Sequence, residues 1–207
     1  GAFVVAGLRT RVSSVNTGML VRTFAAWVVP LIFTAPLFTQ DIYSYLAQGA
    51  IVGRGMDPYL AGPVDMLGAD DPLARSVPFV WSHSPSPYGP TAMTVAWGIY
   101  AIAGNDVLTS VFLHRAVSVV SLYVVAWALV KLAQRCGVGP QFALWLGVLN
   151  PLTLLHLVGG VHNESLLLAL LLTGVELCLR ALHGPAEPGG PIAVTRVTAP
   201  RSEPRAR

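Results

Sequence analysis

Charge is what this chain of 207 residues has least of: Asp, Glu, Lys and Arg make up 11% of it, against 54% hydrophobic residues. A soluble domain carries about 25% charged residues, so a chain this poor in charge cannot cover its own surface in water. With a mean hydropathy of +0.61, that excludes a soluble cytosolic enzyme. It equally excludes a disordered chain, which needs low hydrophobicity. Cysteine is scarce too. Cys136 and Cys178 are the only two, which excludes a disulfide-stapled secreted module and argues against a metal cluster. No nucleotide-sugar motif, phosphate-cradling glycine motif or internal repeat is present. The net charge of +3 would suit nucleic acid in amount, but the charges are placed as a membrane topology signal, and no nucleic-acid partner is expected.

A bilayer core about 30 Å thick needs about 20 apolar residues of helix. Met19–Phe38, Val107–Leu132, Gln141–Val158 and Val161–Leu179 meet or approach that length. Thr91–Ala103 gives only about 20 Å at 1.5 Å per residue and is predicted to lie at the interface or re-enter rather than cross. Residues 1–18 are predicted to be the stub of an upstream helix and a cytoplasmic loop. Residues 19–183 form a partial transmembrane domain, and residues 184–207, rich in Pro, Gly and Arg, form a disordered basic tail. The predicted fold is all-α: a polytopic transmembrane helix bundle with a long extracytoplasmic loop, about 40–106, carrying interfacial helices.

Basic residues set the orientation. Arg9, Arg11 and Arg22 precede or open the first span, Lys131 and Arg135 follow the second, and Arg180 follows the fourth. If Thr91–Ala103 does not cross, all of them fall on the cytoplasmic side. The long loop then lies outside with Asp41, Asp57, Asp65, Asp70, Asp71 and Asp106 against Arg54 and Arg75. A multi-pass plasma-membrane protein with its working loop outside is the expectation.

A loop of that length is functional or disordered, and its aromatics argue for function. In Asp41–Gly49, helical spacing puts Asp41, Tyr45 and Gln48 on one face and Ile42, Leu46 and Ala50 on another. This predicts an amphipathic helix lying on the bilayer with a carboxylate facing inward. The alternative use of Asp41 is as helix cap. Pro and Gly in Met56–Pro63 and Trp81–Pro90 fix rigid turns; these turns either line a wet cavity with His83, Tyr88 and serine hydroxyls or form an ordinary surface loop. Arg115, inside the second span beside His114, costs about 2.5–3.5 kcal/mol to insert. It must pair, snorkel or face water: it suits an anion such as a lipid phosphate, or pairs with Asp106 or another loop carboxylate. His162, Asn163 and Glu164 precede the fourth span; Asn163 serves either as helix cap or, with its neighbours, as a contact for sugar or phosphate. His162 and Glu164 alone are too few ligands for a metal.

Taken together, the span followed by Asp41, the Asp57-Pro-Tyr element, Ser84-Pro-Ser-Pro-Tyr-Gly-Pro90 and Gly159-Gly-Val-His-Asn163 resemble the integral-membrane glycosyltransferases of the GT-C class. The resemblance runs from about Met19 to Arg180 and is closest to the actinobacterial polyprenol-phosphate-mannose-dependent alpha-1,6-mannosyltransferases, whose members are roughly twice this length or more. It implies transfer of mannose from polyprenyl-phosphate mannose to a glycolipid or lipomannan acceptor with inversion. Asp41 would be the catalytic base, taking the acceptor's proton. Arg115, Arg75 or His83 would stabilise the leaving phosphate, and Tyr45, Gln48, Tyr88, His162, Asn163 and Glu164 would contact substrate. The partners implied are a lipid-linked sugar donor, a glycolipid acceptor and the bilayer. No cofactor and no metal are expected, with a divalent cation left open. Two alternatives remain: a transporter or flippase fragment, and a truncated non-catalytic remnant.

Overall fold

The computed structural model describes residues 15–185. The predicted upstream stub and basic tail fall almost entirely outside them. Among the described residues every regular element is helical. Helix α1 (Thr17–Ile32) is capped by Asn16, whose Oδ1 accepts from Gly18 N–H at 2.7 Å. Its buried stripe is Leu20, Phe24 and Val28, one residue per turn. At 16 residues it spans about 24 Å. The predicted first span, 19–38, is therefore corrected: the helix starts earlier and stops after Pro30. Phe33–Gln40 run on as turns and irregular backbone, with Phe38 at φ 66°.

The predicted outer loop folds into five helices. They are α2 (Asp41–Gly53), α3 (Pro63–Leu67), α4 (Pro72–Ser76), α5 (Phe79–Ser82) and α6 (Pro90–Ala103). The expectation of α2 as a surface helix is wrong. Ile42, Tyr45, Leu46, Ala47, Gln48 and Ala50 are all buried, so both faces of the helix are covered. Its fit against α6 needs glycine. A side chain at Gly49 would strike the Ala96 carbonyl, and one at Gly53 would strike the Tyr100 ring. The other face meets Leu73, Val77, Val111 and Val161. Arg54, just past α2, fastens the loop: it pairs with Asp71 at 2.8 Å and donates to Tyr100 and Asn105, each at 3.3 Å. Asp71 in turn caps α4 through the Leu73 and Ala74 N–H groups. Burial would push its carboxyl up, but Arg54 and those two N–H groups hold it below its ordinary value.

Among the described residues two helices are long and apolar enough to cross a membrane: α7 (Val107–Arg135) and α10 (Glu164–His183). Asp106 caps α7, its Oδ1 accepting from Thr109 N–H at 2.7 Å. Asp106 is thus occupied there and does not pair with Arg115. Ser110, His114, Ser118 and Ser121 follow helical spacing along one side of α7. Small residues let membrane helices approach closely, and Ser165 of α10 donates to Ser118 at 3.3 Å. At the far end the buried Arg135 and Glu176 form a two-pronged pair at 2.7 and 2.9 Å. The predicted third span is bent. Helix α8 (Pro140–Gly147) and the helix resuming at Pro151 meet at 54°. Pro151 cannot donate to the preceding turn, and Asn150 caps the new start by accepting from Leu152 N–H. This second part is α9 (Pro151–Leu154), continued by a wider turn over Leu155–Gly159. α1, α7, α8 and α9 close on a core of Leu20, Phe24, Leu122, Val125, Val148 and Leu154, with Val158 from the wide turn.

Candidate active site

Asp41 stands at the first position of α2, directly after the irregular stretch leaving α1. It does not cap the helix: Gln40 holds the cap position, with no side-chain cap bond. The Asp41 carboxylate instead accepts from the Trp81 indole N–H at 3.1 Å. This contact crosses 40 residues and orients one oxygen, leaving the other free toward His162, whose Nδ1 lies 3.9 Å from Oδ2. The Asp41 side chain is a quarter exposed (25%), so it is neither entombed nor loose.

Beside it is a cavity of about 240 Å³ lined by Asp41, Ser44, Tyr45, Gln48, Trp81, Ser84, Pro85, Pro87 and Tyr88. That is several times the roughly 30 Å³ a water occupies. Asp41, Tyr45 and Gln48 therefore share one face as their spacing requires. The opposite wall comes from the proline-rich turn, which the Asp57-Pro-Tyr element braces. Ser86 N–H donates to the Pro58 carbonyl at 2.9 Å, and the Tyr59 hydroxyl donates to the Tyr88 carbonyl at 2.9 Å. Ser86 Oγ donates to Gln48 Oε1 at 3.2 Å. The hydroxyls of Tyr45 and Tyr88 meet at 3.3 Å with their rings edge to face. Burial, then the Tyr88 contact, push the Tyr45 phenol well up, and burial raises Tyr88 as well. Both remain neutral and polar. A carboxylate facing aromatic rings, an amide and hydroxyls suits a polyol that stacks one face and hydrogen-bonds at its edge.

Tyr88 also walls a second hollow of about 350 Å³, lined by Gly89, Thr91, Asn163, Glu164 and leucines of α10. Asn163 occupies the cap position of α10 but makes no side-chain cap bond. His162 touches Thr39, with 3.2 Å between Nε2 and Oγ1, and Glu164, with 3.5 Å between Nδ1 and Oε2. The structure thus brings Asp41, Tyr45, Gln48, Tyr88, His162, Asn163 and Glu164 into one region.

His83 and Arg115 are not part of the lining. His83 is exposed and turned to Asp65, with Nδ1 2.9 Å from Oδ1. Arg75 is exposed on α4. Arg115 is 2% exposed. Its guanidinium donates to the carbonyls of Ile32 and Thr34, both at 2.6 Å, and of Gly159 at 3.4 Å. Both α1 and the wide turn after α9 end with carbonyls that lack partners in their own helices. Arg115 satisfies them and ties the segment leading to Asp41 to the one leading to His162. Ser84 lines the cavity as one of the serine hydroxyls expected of that turn, whereas Ser44 was not singled out in the sequence and Trp81 was not marked as a partner of Asp41; its indole N–H, a donor with no acceptor of its own, was the available signal.

An all-helical membrane protein holding a carboxylate at a polar, aromatic-walled cavity is the class that this fold and site define. The chain matches the N-terminal domain of the alpha-(1->6)-mannopyranosyltransferases over residues 1–199 and belongs to that family. It is 52% identical over 183 residues to alpha-(1->6)-mannopyranosyltransferase B of Corynebacterium glutamicum, covering 85% of this chain and 30% of the relative. An alpha-(1->6)-mannopyranosyltransferase of Mycobacterium tuberculosis is 46% identical over 156 residues, covering 75% of this chain and 26% of that protein. Alpha-(1->6)-mannopyranosyltransferase A of C. glutamicum is 39% identical, covering 80% and 33%. The chain thus spans about a third of the length of these curated relatives. No solved structure matches it.

Proposed function

We propose that this chain is the base-bearing part of a membrane mannosyltransferase. The enzyme moves a mannosyl residue from polyprenyl-phosphate mannose to a glycolipid of the lipomannan type, with inversion, forming an alpha-1,6 linkage on the outer side of the plasma membrane. The observation that carries the reading is the Asp41 carboxylate, oriented by Trp81 on the wall of a cavity built from Tyr45, Gln48, Ser84 and Tyr88. Family membership supports the sugar and the linkage, since the relatives are named alpha-(1->6)-mannopyranosyltransferases.

In this mechanism the acceptor hydroxyl lies within hydrogen-bond reach of Asp41 and loses its proton to it while attacking the anomeric carbon. Attack from the face opposite the phosphate inverts the centre, as in inverting glycosidases. Phosphate leaves readily and needs charge stabilisation rather than a strong acid. Arg115 turns both Nη atoms to backbone carbonyls and keeps its Nε buried away from the cavity without a partner among the described residues, so we assign phosphate stabilisation to polar groups of the second hollow, Asn163 among them, and to the remainder of the full-length enzyme. A lipid-borne donor explains why such a site sits among membrane helices. The test is transfer of labelled mannose by the full-length membrane protein. Lipid-linked mannose is expected to serve as donor and a nucleotide-linked mannose not. Equal use of the nucleotide donor would overturn the donor assignment.

A further inference from the structure

A base that takes a proton in each turnover has to lose it again. We propose that His162 is the positioning residue that restores the Asp41 carboxylate, passing its proton on to Glu164. This inference rests on Asp41 being the base.

The geometry is that of a ring shared between two acids. Nδ1 of His162 lies 3.5 Å from Glu164 Oε2 and 3.9 Å from Asp41 Oδ2, while Nε2 lies 3.2 Å from Thr39 Oγ1. In the tautomer this relay uses, Nε2–H donates to the threonine hydroxyl and the Nδ1 lone pair faces both carboxylates. The Glu164 gap exceeds the hydrogen-bond range by about 0.3 Å and the Asp41 gap by about 0.7 Å, so a tilt of the ring reaches Glu164 and a shift of the Asp41 side chain toward the ring closes the other. The groups facing the imidazole are Asp41 from α2, Glu164 from α10, and His156 from the wide turn, whose ring centre is 5.9 Å away. The phenols of Tyr45 and Tyr88 also feel the charges of Asp41 and Glu164.

The backbone has been forced into this arrangement. Among the described residues two that are not glycine have positive φ: Phe38 at 66° and Val161 at 56°. Each immediately precedes one partner of the Thr39–His162 contact. A β-branched residue in the left-handed region is a steric outlier, and such strain persists only where the surroundings over-determine it. Here they do. Leu37 N–H donates to the Gly159 carbonyl at 3.0 Å, and Arg115 grips the same carbonyl together with those of Ile32 and Thr34. Gly160 gives the ring its room, since a side chain there would come within 2.8 Å of His162 Cδ2.

The steps balance. The acceptor oxygen bonds to the anomeric carbon, the carbon–oxygen bond to phosphate breaks with its electron pair leaving on phosphate, and the hydroxyl proton goes to Asp41. Asp41 gives that proton to Nδ1 of neutral His162. The resulting imidazolium gives it to Glu164, whose side chain is 57% exposed and releases it to water.

The experiment uses the purified full-length protein with lipid-linked mannose and a glycolipid acceptor. His162→Gln is expected to lower kcat, with both KM values unchanged and the pH profile of kcat altered. Added imidazole is expected to restore part of kcat in His162→Ala. Glu164→Gln, exposed and so indifferent to folding, is expected to lower kcat in the same sense. Wild-type kcat and pH profile in His162→Gln and Glu164→Gln would overturn the relay, as would a loss that appears in KM and that imidazole does not repair. If Asp41→Asn abolishes transfer while these variants are normal, the relay alone fails; if Asp41→Asn transfers normally, the base assignment itself fails.

Discussion

Replacing Arg115 by Met separates a structural arginine from a phosphate-binding one. The guanidinium is the one donor among the described residues to the Ile32 and Thr34 carbonyls, while the Gly159 carbonyl also keeps the Leu37 N–H. Met fills similar volume but leaves two part-buried carbonyls without that donor. A fully buried unsatisfied group costs about 1–3 kcal/mol, and water reaches these two in part, so the loss is about 1–3 kcal/mol in all. The cost of inserting an arginine is borne by the inserted chain before it packs as well as after, so it largely cancels from unfolding within the membrane or detergent. At about 2–4 °C per kcal/mol, thermal unfolding in detergent should fall by at least about 2 °C. Transfer should fall with it, because the same carbonyls hold the segments carrying Asp41 and His162. An unchanged melting temperature with a raised KM for the lipid-linked donor would refute the reasoning and return Arg115 to the phosphate.

Arg135→Met leaves Glu176 buried without its partner, and removing one member of a buried pair costs more than replacing both. The single variant should therefore unfold at lower temperature than Arg135→Met/Glu176→Leu, and the reverse order would contradict the buried pair. Because the Asp71 carboxyl is held below its unfolded value of about 3.9, its contribution is complete above that pH and is lost as pH falls through the folded pKa. Proteolysis of the segment between α2 and α6 should accelerate on acidification below about pH 4. Asp71→Asn should show much of that susceptibility already at neutral pH, with a weaker dependence on acid.

The long helices were legible because α7 and α10 carry long, predominantly apolar runs, with Asp106 capping α7 and Asn163 at the cap position of α10. Pro151 announced the break in the third apolar run, yet the run still read as one span because hydropathy does not register a 54° bend. The first span was overdrawn for a related reason. Leu37 and Phe38 are apolar and continue the run, but Pro30 and Pro36 and the left-handed Phe38 take the backbone out of helix. The face shared by Asp41, Tyr45 and Gln48 followed from spacing alone. What spacing could not say was that the other face of α2 is covered as well, by α6 and α4, because glycine contacts such as Gly49 against Ala96 depend on which helix arrives there. Arg115 was misread because its partners are carbonyls, which every residue has and no motif marks. The hold of Trp81 on Asp41 crosses 40 residues of turns and has no sequence period at all.

The most direct measurement is the single-turnover rate of mannosyl transfer by the full-length protein carrying Asp41→Asn. This change keeps the shape and an oxygen for Trp81 to donate to, and removes only the ability to take a proton. A drop of about 100-fold to 10,000-fold, with the donor still bound and the melting temperature unmoved, is the predicted result. Transfer within a few-fold of wild type would contradict the account.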